Sequence, residues 1–85
     1  MADAVIIPEQ IYADYRDSVG RYVRSRVANE HDAEDIVSDV FARVLKDLPL
    51  YDKRKASVST WIYTITKCTV IDYYRRYDTR KDMID

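Results

Sequence analysis

One stretch limits the fold more than any other: HDAEDIVSDVFARVLKDL, residues 31–48, in which Ala33, Ile36, Val37, Val40, Phe41, Val44, Leu45 and Leu48 fall at offsets of 0, 3, 4, 7, 8, 11, 12 and 15. Each helical residue turns by about 100°, so steps of three and four return to one side, and only a helix gathers this spacing into a single apolar stripe. The opposite side carries Glu34, Asp35, Ser38, Asp39, Arg43, Lys46 and Asp47. Asp32 is the expected N-cap, with Glu34 and Asp35 in the first turn, where the helix dipole favours negative charge. His31 then lies ahead of the cap as a solvated residue. Pro49 ends the helix.

That stripe needs partners, and the flanking segments supply them. Upstream, Pro8 suits a first helical position, and Ile11, Tyr15, Val19, Tyr22, Val23 and Val27 predict a helix over about 9–28. Gly20 inside it lowers helix propensity by roughly 1 kcal/mol relative to Ala, which points to a close helix contact. Downstream, LYDKRKAS is a polar, basic connection. Ser57 or Ser59 then caps a third helix whose Val58, Trp61, Ile62, Ile65, Cys68 and Thr69 keep helical spacing as far as Tyr74 to Arg76. Its β-branched residues are dense enough for a strand on propensity alone, but spacing and length decide for helix. With a single Gly and two Pro in 85 residues, the expectation is one all-α domain: a compact three-helix bundle, or a four-helix one, over residues 9–77. Residues 1–8 form an N-terminal arm, and the tail 78–85 frays or begins a linker.

Several function classes drop out. The lone Cys68 has no partner for an internal disulfide, no Cys/His group has metal-ligand spacing, and nothing calls for a cofactor. The one histidine stands without a nucleophile placed by spacing, and there is no glycine-rich phosphate loop, so catalysis is not expected. The start MADAVIIPEQ lacks a basic leader region, and no window approaches the roughly 18 apolar residues of a membrane span, so the expected location is the cytoplasm, away from membranes.

The net charge of −1 hides an asymmetry: residues 1–48 hold ten acids and six Lys/Arg, whereas residues 49–85 hold five acids and eight Lys/Arg. Surfaces of opposite sign suggest two different partners. The acidic face of the second helix is also what a solvated face looks like. The third segment is more distinctive: Lys53, Arg54 and Lys55 make a basic loop, Trp61, Tyr63, Tyr73, Tyr74 and Tyr77 offer rings, and Lys67, Arg75 and Arg76 add charge. Rings interleaved with bases suit single-stranded nucleic acid, since every base has a face to stack and phosphates take Lys and Arg. Trp61 is also expected to pack partly in the core.

Together these stretches resemble region 2 of bacterial RNA polymerase sigma factors, in particular the extracytoplasmic-function (ECF) group. DAEDIVSDVFARVL, residues 32–45, is similar to the family's acidic helix start, and WIYTITKC with DYYRR, residues 61–68 and 72–76, to its aromatic helix. Ser38 and Asp39 stand where the family commonly has Gln and Glu, and Cys68 where it commonly has Asn. The resemblance implies that Asp32, Glu34, Asp35, Ser38, Asp39, Ala42 and Arg43 dock on the clamp helices of the largest subunit of RNA polymerase core. It further implies that Tyr51, Lys53, Arg54, Lys55, Ser57, Ser59, Trp61, Lys67, Cys68, Arg75 and Arg76 meet promoter DNA, the Tyr51–Ser57 loop holding an extruded base of the non-template strand of the minus-ten element. The helix-turn-helix that reads the minus-thirty-five element has no room here, so the chain is either a fragment or a region-2-only protein working with a separate region-4 polypeptide; an anti-sigma factor is a further expected partner. Two rivals fit parts of the same pattern: a helix-turn-helix domain reading duplex DNA, and a helical adaptor that binds protein only.

Overall fold

The computed structural model of the chain describes residues 8–84, with side chains described through residue 76. Three α-helices follow one another, α1 (Pro8–Arg26), α2 (Glu30–Asp47) and α3 (Val58–Ile84), with a short 3₁₀ turn, Leu48–Leu50, after α2. No strand occurs among the described residues, and each helix packs on the other two. This is the expected all-α bundle of three helices. No described helix is long and apolar enough to cross a membrane.

Pro8 does open α1, where its missing N–H costs nothing because first-turn donors have no helical partner. The helix stops at Arg26, although Val27 still donates to the Val23 carbonyl at 2.8 Å. The cap of α2 is not Asp32. Asn29 takes an extended conformation and its side chain accepts from the Asp32 N–H at 3.0 Å, so Asp32 is the third residue of the helix and His31 lies in its first turn. Asn and Asp cap about equally well, and sequence alone offers no reason to choose the earlier one. At the other connection Ser57 is the cap: its Oγ accepts from the Thr60 N–H at 3.2 Å. Replacing such a cap by Ala costs about 1 kcal/mol.

The core is built on α2. Ala33, Ile36, Val40, Phe41 and Val44 are buried against Ile11, Val19, Val23 and Val27 of the α1 side and against Ile62 and Val70 of α3. Ile62 is 2% exposed; truncating so enclosed a side chain to Ala costs about 2–5 kcal/mol. Leu45 departs from the expected stripe and is 53% exposed. It lies about 100° of helix rotation from Val44, at the edge of the buried arc, whereas Phe41 on the same flank is covered by the edge of the Tyr12 ring, 4.9 Å between centroids. Gly20 is buried, but no atom of another helix lies within 4 Å of where its Cβ would be. A Cβ there would meet only the guanidinium end of Arg24, from its own helix.

α3 buries two threonines among its apolar residues. Thr66 and Thr69 donate to the carbonyls of Ile62 and Ile65, at 2.8 and 2.7 Å, so neither buried hydroxyl needs a partner from another helix. Cys68, read from its spacing as part of the apolar side, is exposed instead. The helix also runs on past the expected end at Tyr74 to Arg76, because YDTRKDMI contains neither Gly nor Pro to stop it. The expected arm falls mostly on residues 1–7, outside the described residues.

Candidate functional site

Two surfaces carry the charged and aromatic residues, and both depend on how α3 lies against α2. On α2, Glu34, Asp35, Ser38 and Ala42 are exposed, while Asp32, Asp39 and Arg43 are half-buried. Each of these three has a reason to turn inward. Asp32 accepts a 2.6 Å hydrogen bond from the Tyr73 hydroxyl of α3. Arg43 donates through Nη1 to Asp72 Oδ2 of α3 at 3.0 Å, and its Nη2 lies 3.6 Å from Asp39 Oδ2, one turn back on α2. Arg43 is therefore engaged within the fold and is not simply offered to solvent.

Beside this face runs an open groove of about 970 Å³. Asp32, Asp35, Ile36, Ser38, Asp39 and Ala42 line one side of it, and Tyr73, Arg75 and Arg76 the other. The charge asymmetry read along the sequence thus does not separate cleanly in space. Arg75 and Arg76 border the acidic face.

The second surface is the connection between α2 and α3. Tyr51 opens it, donating its N–H to the Leu48 carbonyl at 3.1 Å and its hydroxyl to the Ala56 carbonyl at 2.7 Å, which pins the loop at both ends. Between these points the Lys55 N–H closes a turn on the Asp52 carbonyl at 3.0 Å. Asp52 also takes the Arg54 N–H at 2.9 Å and the Arg54 guanidinium at two points, each 3.1 Å. The Arg54 side-chain bonds, then its backbone bond, hold the Asp52 carboxyl below its ordinary pKa. Lys53 and Lys55 are exposed on this braced turn. The Tyr51 ring lies on Trp61, with centroids 4.8 Å apart and planes tilted by 36°, and Trp61 packs partly against the core, as its sequence position led one to expect.

The two serines expected near a base pocket have structural partners. Ser57 caps α3, and Ser59 Oγ shares a 2.9 Å hydrogen bond with the Tyr15 hydroxyl of α1. Farther along α3, Lys67 and Cys68 are both exposed, but consecutive helical residues point about 100° apart. Cys68 falls on the side shared by Trp61 and Arg75, seven residues to either side, while Lys67 lies on the flank of Tyr63. The Tyr63 ring meets the Tyr22 ring edge-on at 5.3 Å, and the Tyr74 hydroxyl donates to the Arg26 carbonyl. Tyr77 lies outside the described side chains. The aromatic set of the sequence thus divides between helix contacts and the loop.

Among the described residues no group of His, Cys, Asp and Glu is placed to hold a metal ion. The connection spans residues 48–57, longer than the three- or four-residue turn of a helix-turn-helix.

The model of the family described as sigma-70 region 2 matches residues 11–80. Curated relatives agree. The RNA polymerase sigma factor SigZ of Bacillus subtilis is 31% identical over 78 residues, covering 91% of this chain and 43% of that protein. The RNA polymerase sigma factor YlaC of the same organism is 32% identical over 68 residues, 80% of this chain and 39% of that one. The ECF RNA polymerase sigma factor BldN of Streptomyces coelicolor is 30% identical over 66 residues, 78% and 25% respectively. The chain spans less than half the length of these relatives. No solved structure gives a significant match.

Proposed function

The chain belongs to the sigma-70 region 2 family, and we propose on that footing that it is a transcription initiation domain that binds RNA polymerase core and captures the non-template strand of a promoter minus-ten element. The observation that carries this reading is the pairing of an exposed acidic helix face with a braced basic loop in one three-helix bundle. Glu34, Asp35, Ser38 and Ala42 on α2, with the half-buried Asp32 and Asp39, present the surface for the clamp helices of the largest subunit.

Capture is assigned to the loop and to α3. Lys53 and Lys55 project from a turn whose shape is set by Tyr51, Asp52 and Arg54, so the loop backbone does not have to be ordered when they meet phosphates. An unstacked base is held beside the Tyr51 and Trp61 rings, which offsets the few kcal/mol lost on unpairing. Ser57 and Ser59 shape that place indirectly, one by starting α3 and the other by fixing it to α1. Lys67, Cys68, Arg75 and Arg76 continue the track along α3. Reading of the minus-thirty-five element falls to another segment or a separate region-4 polypeptide, regulation to an anti-sigma factor, and the work takes place in the cytoplasm, where polymerase is.

The test is competition for the complex of this chain with polymerase core, using minus-ten single strands that differ at one base. Discrimination between strands that requires the chain supports the reading. A chain that binds core yet leaves strand preference unchanged is a protein-binding adaptor, and the capture reading fails.

A further inference from the structure

Arg43 and Asp32 stand on the same face of α2, eleven residues apart, yet their partners on α3 are the consecutive residues Asp72 and Tyr73. The two bonds run from positions eleven residues apart on α2 to successive residues of α3, whose side chains leave that helix about 100° apart. A single bond between helices leaves rotation about the bond; two bonds from separated positions remove it. The Arg43 guanidinium also reaches Asp39, so it is held from its own helix while it holds the other. Asp72 lies one helical turn beyond Cys68 and directly ahead of Tyr73, Tyr74, Arg75 and Arg76, on the half of α3 that the Tyr51–Ser57 loop does not brace.

We propose that Arg43 is a positioning residue for strand capture: through Asp72 it fixes the rotation of α3 against α2, and so aims Cys68, Arg75 and Arg76 relative to the polymerase-bound face. This rests on the proposed function for what is captured, while the brace itself stands on the geometry. Although the resemblance counts Arg43 in the clamp-docking set, its guanidinium is engaged by Asp72 and Asp39, and on this proposal it acts through Asp72.

The prediction is a split that a mere stabilising contact does not produce. Arg43→Gln in the full chain leaves affinity for polymerase core within about two-fold, but lowers capture of a minus-ten single strand by the preformed complex about three- to ten-fold, the range of coupled neighbouring residues. Asp72→Asn gives the same split. The exchanged pair, Arg43→Asp with Asp72→Arg, recovers capture to within about two-fold of the unaltered chain. All are assayed well below their melting temperatures, and a double-mutant cycle on thermal unfolding reads the coupling of Arg43 to Asp72 without either partner. Additivity in that cycle overturns the proposal, as does loss of core binding by Arg43→Gln with capture by saturated complex unchanged, which makes Arg43 a polymerase contact. Failure of the unaltered chain to bind core or strand counts against the proposed function instead, and the cycle then decides the brace by itself.

Discussion

Tyr73 donates its hydroxyl to Asp32 at 2.6 Å, joining residues 41 positions apart at the meeting of α2 and α3. Hydrogen bonds to a carboxylate contribute more than neutral ones, and this one is partly open to water. Tyr73→Phe keeps the ring and removes only the bond, so it lowers unfolding free energy by about 1–2 kcal/mol. Urea denaturation checks this; an unchanged midpoint at unchanged slope means that the bond contributes nothing.

Gly20→Ala has the opposite sign. The position is helical without positive φ, and the added Cβ displaces only the mobile end of Arg24. Lower freedom in the unfolded chain then stabilises the protein by about 0.4–1 kcal/mol, seen as a higher melting temperature. A lower one means that Arg24 cannot move aside without loss.

Charge reversal on α2 separates surface from scaffold. Glu34 and Asp35 are exposed, Asp35 across the groove from Arg75 and Arg76, and Glu34→Lys with Asp35→Lys changes stability by no more than about 0.5 kcal/mol per site. Affinity for polymerase core falls. Equal retention of core by the reversed protein in a pull-down removes this face from the interface.

The basic loop makes a prediction in salt. With four or five Lys and Arg reaching phosphates, single-strand affinity falls with log[salt] at a slope of about −3, at about −0.7 per contact. Lys53→Ala with Lys55→Ala reduces that slope by one to two while strand preference survives, since phosphate contacts position without reading sequence. An unaltered slope places the backbone elsewhere.

Asp52 adds a pH dependence of known sign. Its carboxyl ionises more readily folded than unfolded, because Arg54 bonds to the ionised form. The clasp is therefore complete above the ordinary value of 3.8 and is lost as pH falls through the lower folded one. The amide resonance of Arg54, followed by NMR, stays constant down to about that pH and shifts only in stronger acid. A shift near neutrality rules out the clasp.

Periodicity made the bundle readable. The spacing of Val40 and Val44, of Val19 and Val23, and the proline at position 8 report local geometry, which neighbouring residues determine. What stayed hidden needs a second helix. Leu45 obeys the spacing and is exposed, whereas Phe41, one turn earlier on the same flank, is covered by a tyrosine from α1. Asp32 is a good cap by residue type, but the cap is Asn29, which accepts from the Asp32 N–H itself. Arg43 pairs with Asp39 at a spacing that sequence can show, while its stronger partner, Asp72, lies 29 residues away. The placing of Arg75 and Arg76 beside the acidic face follows from the lie of α3, and no pattern in either segment encodes it.

The three-residue link between α1 and α2 has a kinetic consequence. Helices so closely joined meet soon after they form, and a bundle dominated by such local contacts folds in microseconds to milliseconds. α3 follows a ten-residue connection, and closing that longer loop costs more chain entropy. If the bonds of Tyr73 to Asp32 and of Arg43 to Asp72 close only after the rate-limiting step, their removal speeds unfolding and leaves the folding rate unchanged.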